Sequence, residues 1–253
     1  MHFMEEIIKI NNVQFNKPDN NKLVLDGITI SFFENEIVSI LGPSGCGKSV
    51  LLKVAAGLLE PISGEVIVRD FNLTKSHRNE LFAFKEQTGF VFQEIALISN
   101  LNIFDNIALK LRYHTKLTEN EIFDKINFWL EKMDLIQSMY AFPAELSISQ
   151  KRMLGLVRAV IGSPRYVFLD EPTGNLDSYH ANLVTQVIKQ LKKENTTVII
   201  VTNQVKWASN ISDRLIVMAD GKIEFAGKYE HMFSDDNKKI KNIIDNIGGE
   251  NVI

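Results

Sequence analysis

The stretch that decides the fold is Gly42-Pro43-Ser44-Gly45-Cys46-Gly47-Lys48-Ser49. It fits the pattern G-x-x-x-x-G-K-[ST], in which backbone N–H groups of a glycine-rich loop surround phosphate oxygens. The lysine of this pattern reaches the β- and γ-phosphates, and the serine hydroxyl is placed for Mg²⁺. A buried strand is predicted over Glu36–Leu41 and a helix over Ser49–Gly57, so a helix N-terminus, with Val50 in its first turn, faces the anion. The sequence therefore predicts a nucleoside triphosphate site over residues 42–50 rather than an ordinary glycine-rich turn.

The composition excludes several classes of protein. The chain has 253 residues, 45% hydrophobic and 23% charged, which is typical of a globular protein of one domain with an inserted subdomain. Its net charge of −3 lacks the basic excess of nucleic-acid binders, so no nucleic acid is expected as a partner. Stretches without charged residues are too short for a membrane-spanning helix, and the N-terminus shows no signal-peptide pattern. The single cysteine, Cys46, leaves no internal disulfide and suits a reducing compartment.

Hydrophobic patterns predict an α/β fold with a helical insertion. Alternation predicts antiparallel strands over Ile7–Phe15 and Ile28–Phe33, with a turn over residues 17–22 between them. The core is assigned to residues 1–93 and 166–230, the helical subdomain to 94–165 and a C-terminal tail to 231–253, because helical periodicity dominates the middle segment. The further predicted elements are strands over Glu65–Arg69, Gly89–Gln93, Tyr166–Asp170, Thr196–Thr202, Arg214–Met218 and Lys222–Ala226, and a helix over Leu183–Lys193.

A second element expected at the nucleotide is Tyr166-Val-Phe-Leu-Asp170-Glu171. An apolar strand that ends in Asp is typical of a site that holds Mg²⁺, here with Ser49. Glu171 follows directly, and its carboxylate is placed to polarise an attacking water as a general base. The alternative is an acidic strand end that faces solvent, which the phosphate-binding loop upstream disfavours.

Six segments in a fixed order resemble the ATP-binding cassette (ABC) ATPases. In that family they are the Walker A loop, Q-loop, signature, Walker B strand, D-loop and switch. The resemblance covers residues 5–230 and implies an ABC-type P-loop NTPase with a RecA-like core, an antiparallel β subdomain and an inserted helical subdomain. The matching segments are residues 42–49, Gln93, Leu146-Ser-Ile-Ser-Gln-Lys-Arg152, Tyr166–Glu171, Pro172–Asp177 and Val201-Thr-Asn203.

The resemblance also implies roles for single residues. Gln93 would contact Mg²⁺ or the attacking water and couple the site to a partner, and Asn203 occupies the switch position. Ser147 and Gln150 would belong to a signature helix that closes on the nucleotide of a second subunit, and Asp177 would lie at the dimer seam. The implied ligands are ATP and Mg²⁺. The implied partners are a second ABC subunit, in a homodimer or a heterodimer, and an integral membrane permease.

Two features depart from the family pattern. The signature is usually Leu-Ser-Gly-Gly-Gln, whereas this chain has Ile148 and Ser149 where glycines allow close backbone approach to phosphate. The switch histidine is replaced by Asn203, whose neutral amide hydrogen-bonds phosphate but carries no positive charge. Both changes predict slow hydrolysis with intact nucleotide binding. They leave open a catalytically weak subunit that binds ATP to hold a heteromeric complex together.

Two stretches resemble the ATPase of Mce-type phospholipid transporters, the bacterial maintenance-of-lipid-asymmetry systems. They are Gly47–Lys53 and residues 96–117, with the element Leu111-Arg-Tyr-His-Thr115. This branch implies lipid transport, a peripheral position at the cytoplasmic face of the inner membrane, and an Mce-domain protein in the complex. Thr173–Asp177 is more typical of the lipoprotein-release and cell-division group, which remains the alternative. A cassette that acts on DNA or ribosomes is disfavoured because tandem cassettes, a coiled-coil insertion and a basic surface are lacking.

Three smaller features have two interpretations each. Cys46 at a helix N-terminus is either a reactive thiol of lowered pKa or a small filler, and the filler is favoured. His114 is interpreted as a packing or capping residue, because no second ligand has the spacing of a metal site. Packing of the tail on its own domain is favoured over docking on a neighbouring subunit or a membrane. The tail has one apolar helical face, formed by Ile240, Ile243, Ile244 and Ile247.

Overall fold

The computed structural model describes residues 5–17, 22–233 and 238–247. One of its two sheets is antiparallel and has four strands, paired in the order β2-β1-β4-β5. These strands are β1 Glu6–Asn16, β2 Leu23–Phe33, β4 Ser63–Val68 and β5 Phe71–Asn72. The predicted turn over residues 17–22 falls mainly outside the described residues.

The second sheet carries the phosphate-binding loop. Its six strands are β3 Ile37–Leu41, β6 Thr88–Val91, β7 Tyr166–Asp170, β8 Thr197–Val201, β9 Arg214–Ala219 and β10 Lys222–Gly227. They pair in the order β10-β9-β3-β8-β7-β6, with β10 antiparallel to β9 and the other neighbours parallel. Every residue of β3, β7 and β8 is buried, which explains their continuous apolar runs. The carboxyl ends of these three strands meet at one edge, where ligands bind in open α/β sheets.

Helices cover the sheets and form the insertion. They are α1 Lys48–Ala55, α2 Arg78–Glu86, α3 Ile103–His114, α4 Glu119–Lys132, α5 Ile148–Val160, α6 Ser178–Lys193, α7 Val205–Ile211, α8 Tyr229–Met232 and α9 Lys238–Asn246. Helices α3, α4 and α5 follow β6 and precede β7, and one apolar cluster joins them to the six-stranded sheet. In the described part of the chain, no helix combines the length and apolar character needed to cross a bilayer.

Helix α1 is held between the two sheets. Leu52 of α1 is fully buried in the cluster that contains Phe32 of β2 and Phe168 of β7. Burial of each such side chain contributes roughly 1.5–3 kcal/mol relative to exposure. Because α1 is anchored in this way, the loop that precedes it has a fixed position on the sheet edge.

Several predicted boundaries differ from the structure, and the reason is clear for a strand end, a strand start and a helix start. Strand β6 ends at Val91, the last residue paired with β7, so Gln93 does not end a strand but lies in the following loop. Strand β2 begins at Leu23 rather than Ile28, since Gly27, with φ of 70°, interrupts the alternation without ending the pairing to β1. Helix α6 begins at Ser178 rather than Leu183 because the Asp177 side chain accepts a hydrogen bond from His180 N at 2.9 Å and caps the helix.

The tail packs on its own domain, as favoured from the sequence. Ile240, Ile243 and Ile244 of α9 are buried in one cluster with Val205 of α7 and Val217 of β9. Ile247 packs at its margin. The remaining tail residues, 234–237 and 248–253, lie outside the described residues.

Candidate functional site

The loop predicted to bind phosphate lies between β3 and α1. Helix α1 begins at Lys48, one residue earlier than predicted. Its N-cap Gly47 has φ of 108°, and a Cβ there would lie 2.7 Å from Val24 O, so only glycine fits without strain. Ser44 and Gly45 are exposed, Pro43, Ser49 and Val50 are partly buried, and Gly42 and Cys46 are buried. Free backbone N–H groups at a helix N-terminus attract anions, so the loop has the polarity of the predicted phosphate site.

Lys48 lies across this loop with its side chain almost entirely buried, at 6% exposure. Its Nζ donates to the carbonyl oxygens of Gly42 at 2.6 Å and Pro43 at 2.9 Å. Burial lowers the pKa of Lys48, because the ammonium loses hydration, and the carboxylates of Glu171 and Asp170 act in the opposite direction. The site thus holds a desolvated cation that a phosphate anion would stabilise.

Cys46 has the properties of a filler rather than of a reactive thiol. It is 8% exposed and packs in the cluster that contains α1. Burial raises the pKa of the Cys46 thiol, outweighing the effect of the nearby Lys48 cation, so the nucleophilic thiolate is disfavoured.

Ser49 and Asp170 meet at the edge of the sheet. Ser49 Oγ donates to Asp170 Oδ1 at 2.9 Å. Burial raises the pKa of Asp170, and the hydrogen bond from Ser49 partly offsets that effect. A groove beside the pair is lined by Ser49, Asp170 and Gln93, together with Lys53 and the exposed Phe92. The structure therefore brings together the three residues predicted to surround Mg²⁺.

Glu171 occupies a strained turn after β7. Its φ is 50°, a left-handed conformation that is costly for a residue with a Cβ. Burial raises the pKa of Glu171, while hydrogen bonds from Thr202 and from the backbone of Asn203 act to lower it. A carboxyl whose pKa lies above its usual range, next to a phosphate-binding loop, suits a general base.

The residues after β8 lie beside this turn. Thr202 is fully buried, and its contact with Glu171 was not predicted from the sequence, although its place directly after a buried strand is a usable signal. Asn203 Oδ1 is buried and has no hydrogen-bond partner among the described residues. Gln204 Nε2 donates to Thr173 O at 3.5 Å, which links the predicted switch to the segment before Asp177.

The predicted signature residues belong to a different surface. Ser147 caps α5: its Oγ accepts from Gln150 N at 3.2 Å, and Gln150 Oε1 accepts from Ser147 N at 2.9 Å. Ile148 is 65% exposed and Ser149 is partly buried. Within the described residues, no hydrogen bond links this helix start to the loop over residues 42–49. Asp177 is also peripheral, since it caps α6 and pairs with His180 Nδ1 at 2.7 Å.

The fold and the site define a class: an α/β nucleotide-binding cassette with a phosphate loop between strand and helix. The model of the ABC transporter family matches residues 25–174. A relative in Borreliella afzelii, the spermidine/putrescine import ATP-binding protein PotA, is 32% identical over 97% of this chain and 69% of its own length. The intermembrane phospholipid transport system ATP-binding protein MlaF of Haemophilus influenzae is 30% identical over 93% of this chain and 89% of its own.

A solved structure extends the match to three dimensions. The dimeric post-hydrolysis state of the ATP-binding cassette MJ0796, bound to ADP and Pi, aligns with a TM-score of 0.82. It is 28% identical and covers 88% of this chain and 98% of that one. The chain belongs to the ABC transporter family, as an ATP-binding subunit of the ATP-hydrolysing kind, and the predicted fold class is confirmed.

Proposed function

We propose that this subunit uses ATP binding to close, and hydrolysis to reopen, a cassette dimer beneath a membrane permease. The observation that carries the proposal is the convergence of buried Lys48 and Asp170 and of the partly buried Glu171 on one loop. Lys48 and the backbone of the loop bind the phosphates. Glu171 takes the proton of the attacking water, and Asn203 hydrogen-bonds near the γ-phosphate. The helices over residues 94–165 act as the helical subdomain, and residues 1–93 and 166–230 as the core.

The residues present fit Mg²⁺. Ser49 Oγ and Asp170 Oδ1 lie 2.9 Å apart beside Gln93, and oxygen donors are the ligands that Mg²⁺ prefers. Burial disfavours the Asp170 carboxylate, and a bound cation would reverse that effect. The described residues contain no group of three or more His, Cys, Asp or Glu that could hold a metal. This agrees with an ion that keeps waters and substrate phosphates as its other ligands and neutralises phosphate charge when bound.

A second subunit completes the site in this proposal. Ser147 and Gln150 cap each other's backbone, and among the described residues they form no hydrogen bond with residues 42–49 of their own chain. They are thus available to the nucleotide of a partner cassette, with Asp177 near the seam. The dimer is either a homodimer or a heterodimer with a subunit of intact signature.

Slow turnover is expected because Ile148 and Ser149 replace the signature glycines and Asn203 replaces the switch histidine. If each of these two changes removes about 2 kcal/mol of transition-state stabilisation, a homodimer loses about a thousandfold in rate. Ile148 lies at the first position of α5 with its side chain mostly in solvent, so glycine there removes little packing.

Restoring the glycines is therefore expected to accelerate hydrolysis. Ile148→Gly with Ser149→Gly should raise the steady-state rate of phosphate release about thirtyfold, the equivalent of about 2 kcal/mol. Asn203→His independently restores the histidine at the switch position. A parent chain that already turns over at several per second, within the usual range for enzymes, would show that Ile148 and Ser149 are tolerated.

Phospholipid is the proposed cargo. The support is the resemblance of residues 96–117 and the length over which MlaF matches, while relatives that import polyamines, methionine and sulfate match at similar identity. Two side chains of this segment have structural roles. Arg112 pairs with Asp105 and Glu119 inside the insertion, and His114 pairs with Glu86 of α2, which links the insertion to the core. An Mce-domain protein is proposed in the complex on the same grounds, and a lipoprotein-release or cell-division role remains the alternative.

A permease is proposed to dock beside Ile98. The buried Asn106 fixes this loop: its Oδ1 accepts from Ile98 N at 2.9 Å, and its Nδ2 donates to the carbonyl oxygens of Ile98 and Leu101 at 3.0 and 2.9 Å. Leu97 packs inward, whereas Ile98 stays 42% exposed. A rigid loop that presents an apolar side chain near the groove of Gln93 suits a permease segment and would place the subunit peripherally at the cytoplasmic face of the inner membrane.

This docking predicts a co-purification result. The chain should purify from mild-detergent extracts with an integral membrane protein and bound phospholipid, identified by mass spectrometry. Ile98→Glu should reduce recovery of that protein about tenfold or more, because a charge is placed in an apolar contact. Phe128→Glu is the control, since Phe128 is 54% exposed on α4. A polyamine, methionine or sulfate permease in the extract would contradict the lipid cargo, and a monomer alone would contradict docking.

A further inference from the structure

Arg152 joins the signature helix to the turn that carries Glu171. It lies in the second turn of α5, and its Nη1 donates to the main-chain carbonyl oxygen of Glu171 at 2.7 Å. A guanidinium that donates to a carbonyl forms a charge-assisted hydrogen bond, stronger than a neutral one. The helical insertion and the strand end that presents Glu171 are thus connected within one chain.

The Glu171 turn needs such support. A φ of 50° is unfavourable for glutamate and persists only where the surroundings impose it. Glu171 N donates to Val201 O at 2.9 Å, and Glu171 O accepts from Gly174 N at 3.2 Å as well as from Arg152. Three hydrogen bonds therefore fix the main chain of Glu171. The bond from Arg152 is the one that comes from the helical insertion.

The surroundings of Arg152 favour a positioning role. In the described residues, no carboxylate lies within ion-pair distance of its guanidinium, and its Nε is buried without an acceptor. Gly174 provides the space, because a Cβ there would lie 2.8 Å from Arg152 Nη1. The Arg152 guanidinium therefore has the carbonyl oxygen of Glu171 as its partner and no carboxylate counter-ion among the described residues.

We propose that Arg152 is a positioning residue for hydrolysis. It holds the Glu171 main chain so that the carboxylate points at the attacking water, and it transmits the position of the signature helix to the base of the same subunit. The proposal rests on the role of Glu171 proposed above. When α5 closes on a partner's nucleotide, the Glu171 turn of its own subunit is shifted or stabilised through this bond.

The first test removes the donor and keeps the side-chain length. Arg152→Met should lower the single-turnover rate of ATP cleavage about tenfold or more, since small displacements of a catalytic group are costly, with the Kd for ATP within about twofold. Arg152→Lys keeps a donor that reaches the carbonyl and should recover most of the rate. Lys189→Met, a change of an exposed lysine on α6, is the control and should match the parent.

The second test displaces the guanidinium without changing it. Gly174→Ala places a methyl group against Arg152 Nη1, the flexible end of a side chain that can move away at little cost to folding. It should lower the cleavage rate as Arg152→Met does. The double variant should lose no more than either single one, since both break the same hydrogen bond.

These outcomes separate the inference from the proposed function. If Glu171→Gln stops cleavage but Arg152→Met and Gly174→Ala leave it at the parent rate, Glu171 is the base and Arg152 does not position it. Additive losses in the double variant, or no recovery with Arg152→Lys, would also overturn the inference. A Glu171→Gln variant at full rate would instead overturn the role of Glu171.

Discussion

Lys48→Ala is expected to abolish Mg-ATP binding while the fold persists. A hydrogen bond to a charged group contributes about 1.5–3 kcal/mol, and Lys48 is proposed to reach two phosphates, so the affinity should fall at least about a hundredfold. The lysine carries the full positive charge of the loop from a buried position, at 6% exposure, and no other residue of residues 42–49 is cationic. Titration calorimetry with Mg-ATP measures the loss directly.

The fold should tolerate this change. The Lys48 side chain bonds the carbonyl oxygens of Gly42 and Pro43, which border the solvent-facing loop, whereas the packing of α1 depends on Leu51 and Leu52. Thermal unfolding by circular dichroism should therefore remain cooperative. Lys75→Ala is the matched control, since Lys75 is 77% exposed and should bind ATP as the parent does. Unchanged affinity in Lys48→Ala would contradict the assignment of residues 42–49.

Local patterns were sufficient to predict the strands and the loop at the centre of this site. Strand β7 has the predicted bounds, Tyr166–Asp170. A continuous apolar run is typical of a strand that is buried on both faces, and the charged residue marks its end. The loop was predicted from its spacing alone. The Asp170–Ser49 contact could be expected because Asp170 ends β7 and Ser49 begins the helix after β3, so both lie at the carboxyl edge of the same parallel sheet.

Other features depend on tertiary contacts that no local pattern encodes. Helix α2 was not predicted, and Phe84 is the one residue that it buries fully. Gln93 was placed at a strand end, yet the pairing of β6 with β7 stops two residues earlier. The bond from Arg152 to Glu171 O joins residues 19 positions apart through a main-chain acceptor, so side-chain chemistry gives no sign of it.

Glu171→Gln is expected to stop hydrolysis and leave nucleotide bound. A positioned general base contributes about 10²–10⁴ in rate, and the amide cannot accept the proton of the attacking water. The neutral side chain has the same shape, so the hydrogen bond with Thr202 and the loop contacts should persist. ATP should then accumulate in a closed dimer, which light scattering detects as a doubled mass. Glu60→Gln, on the exposed surface, is the control and should turn over as the parent does.

The dependence on pH tests the same carboxyl independently. Burial raises the pKa of Glu171 above that of an ordinary glutamate, and only the ionised form is a base. The single-turnover rate of the parent should therefore be highest above this pKa and fall as the pH drops through it. The fall should begin at a higher pH than for a free carboxyl. In Glu171→Gln the residual rate should lack this limb, because the titrating group is gone. A variant that hydrolyses ATP at the parent rate, or retains the acid limb, would assign the base to another residue.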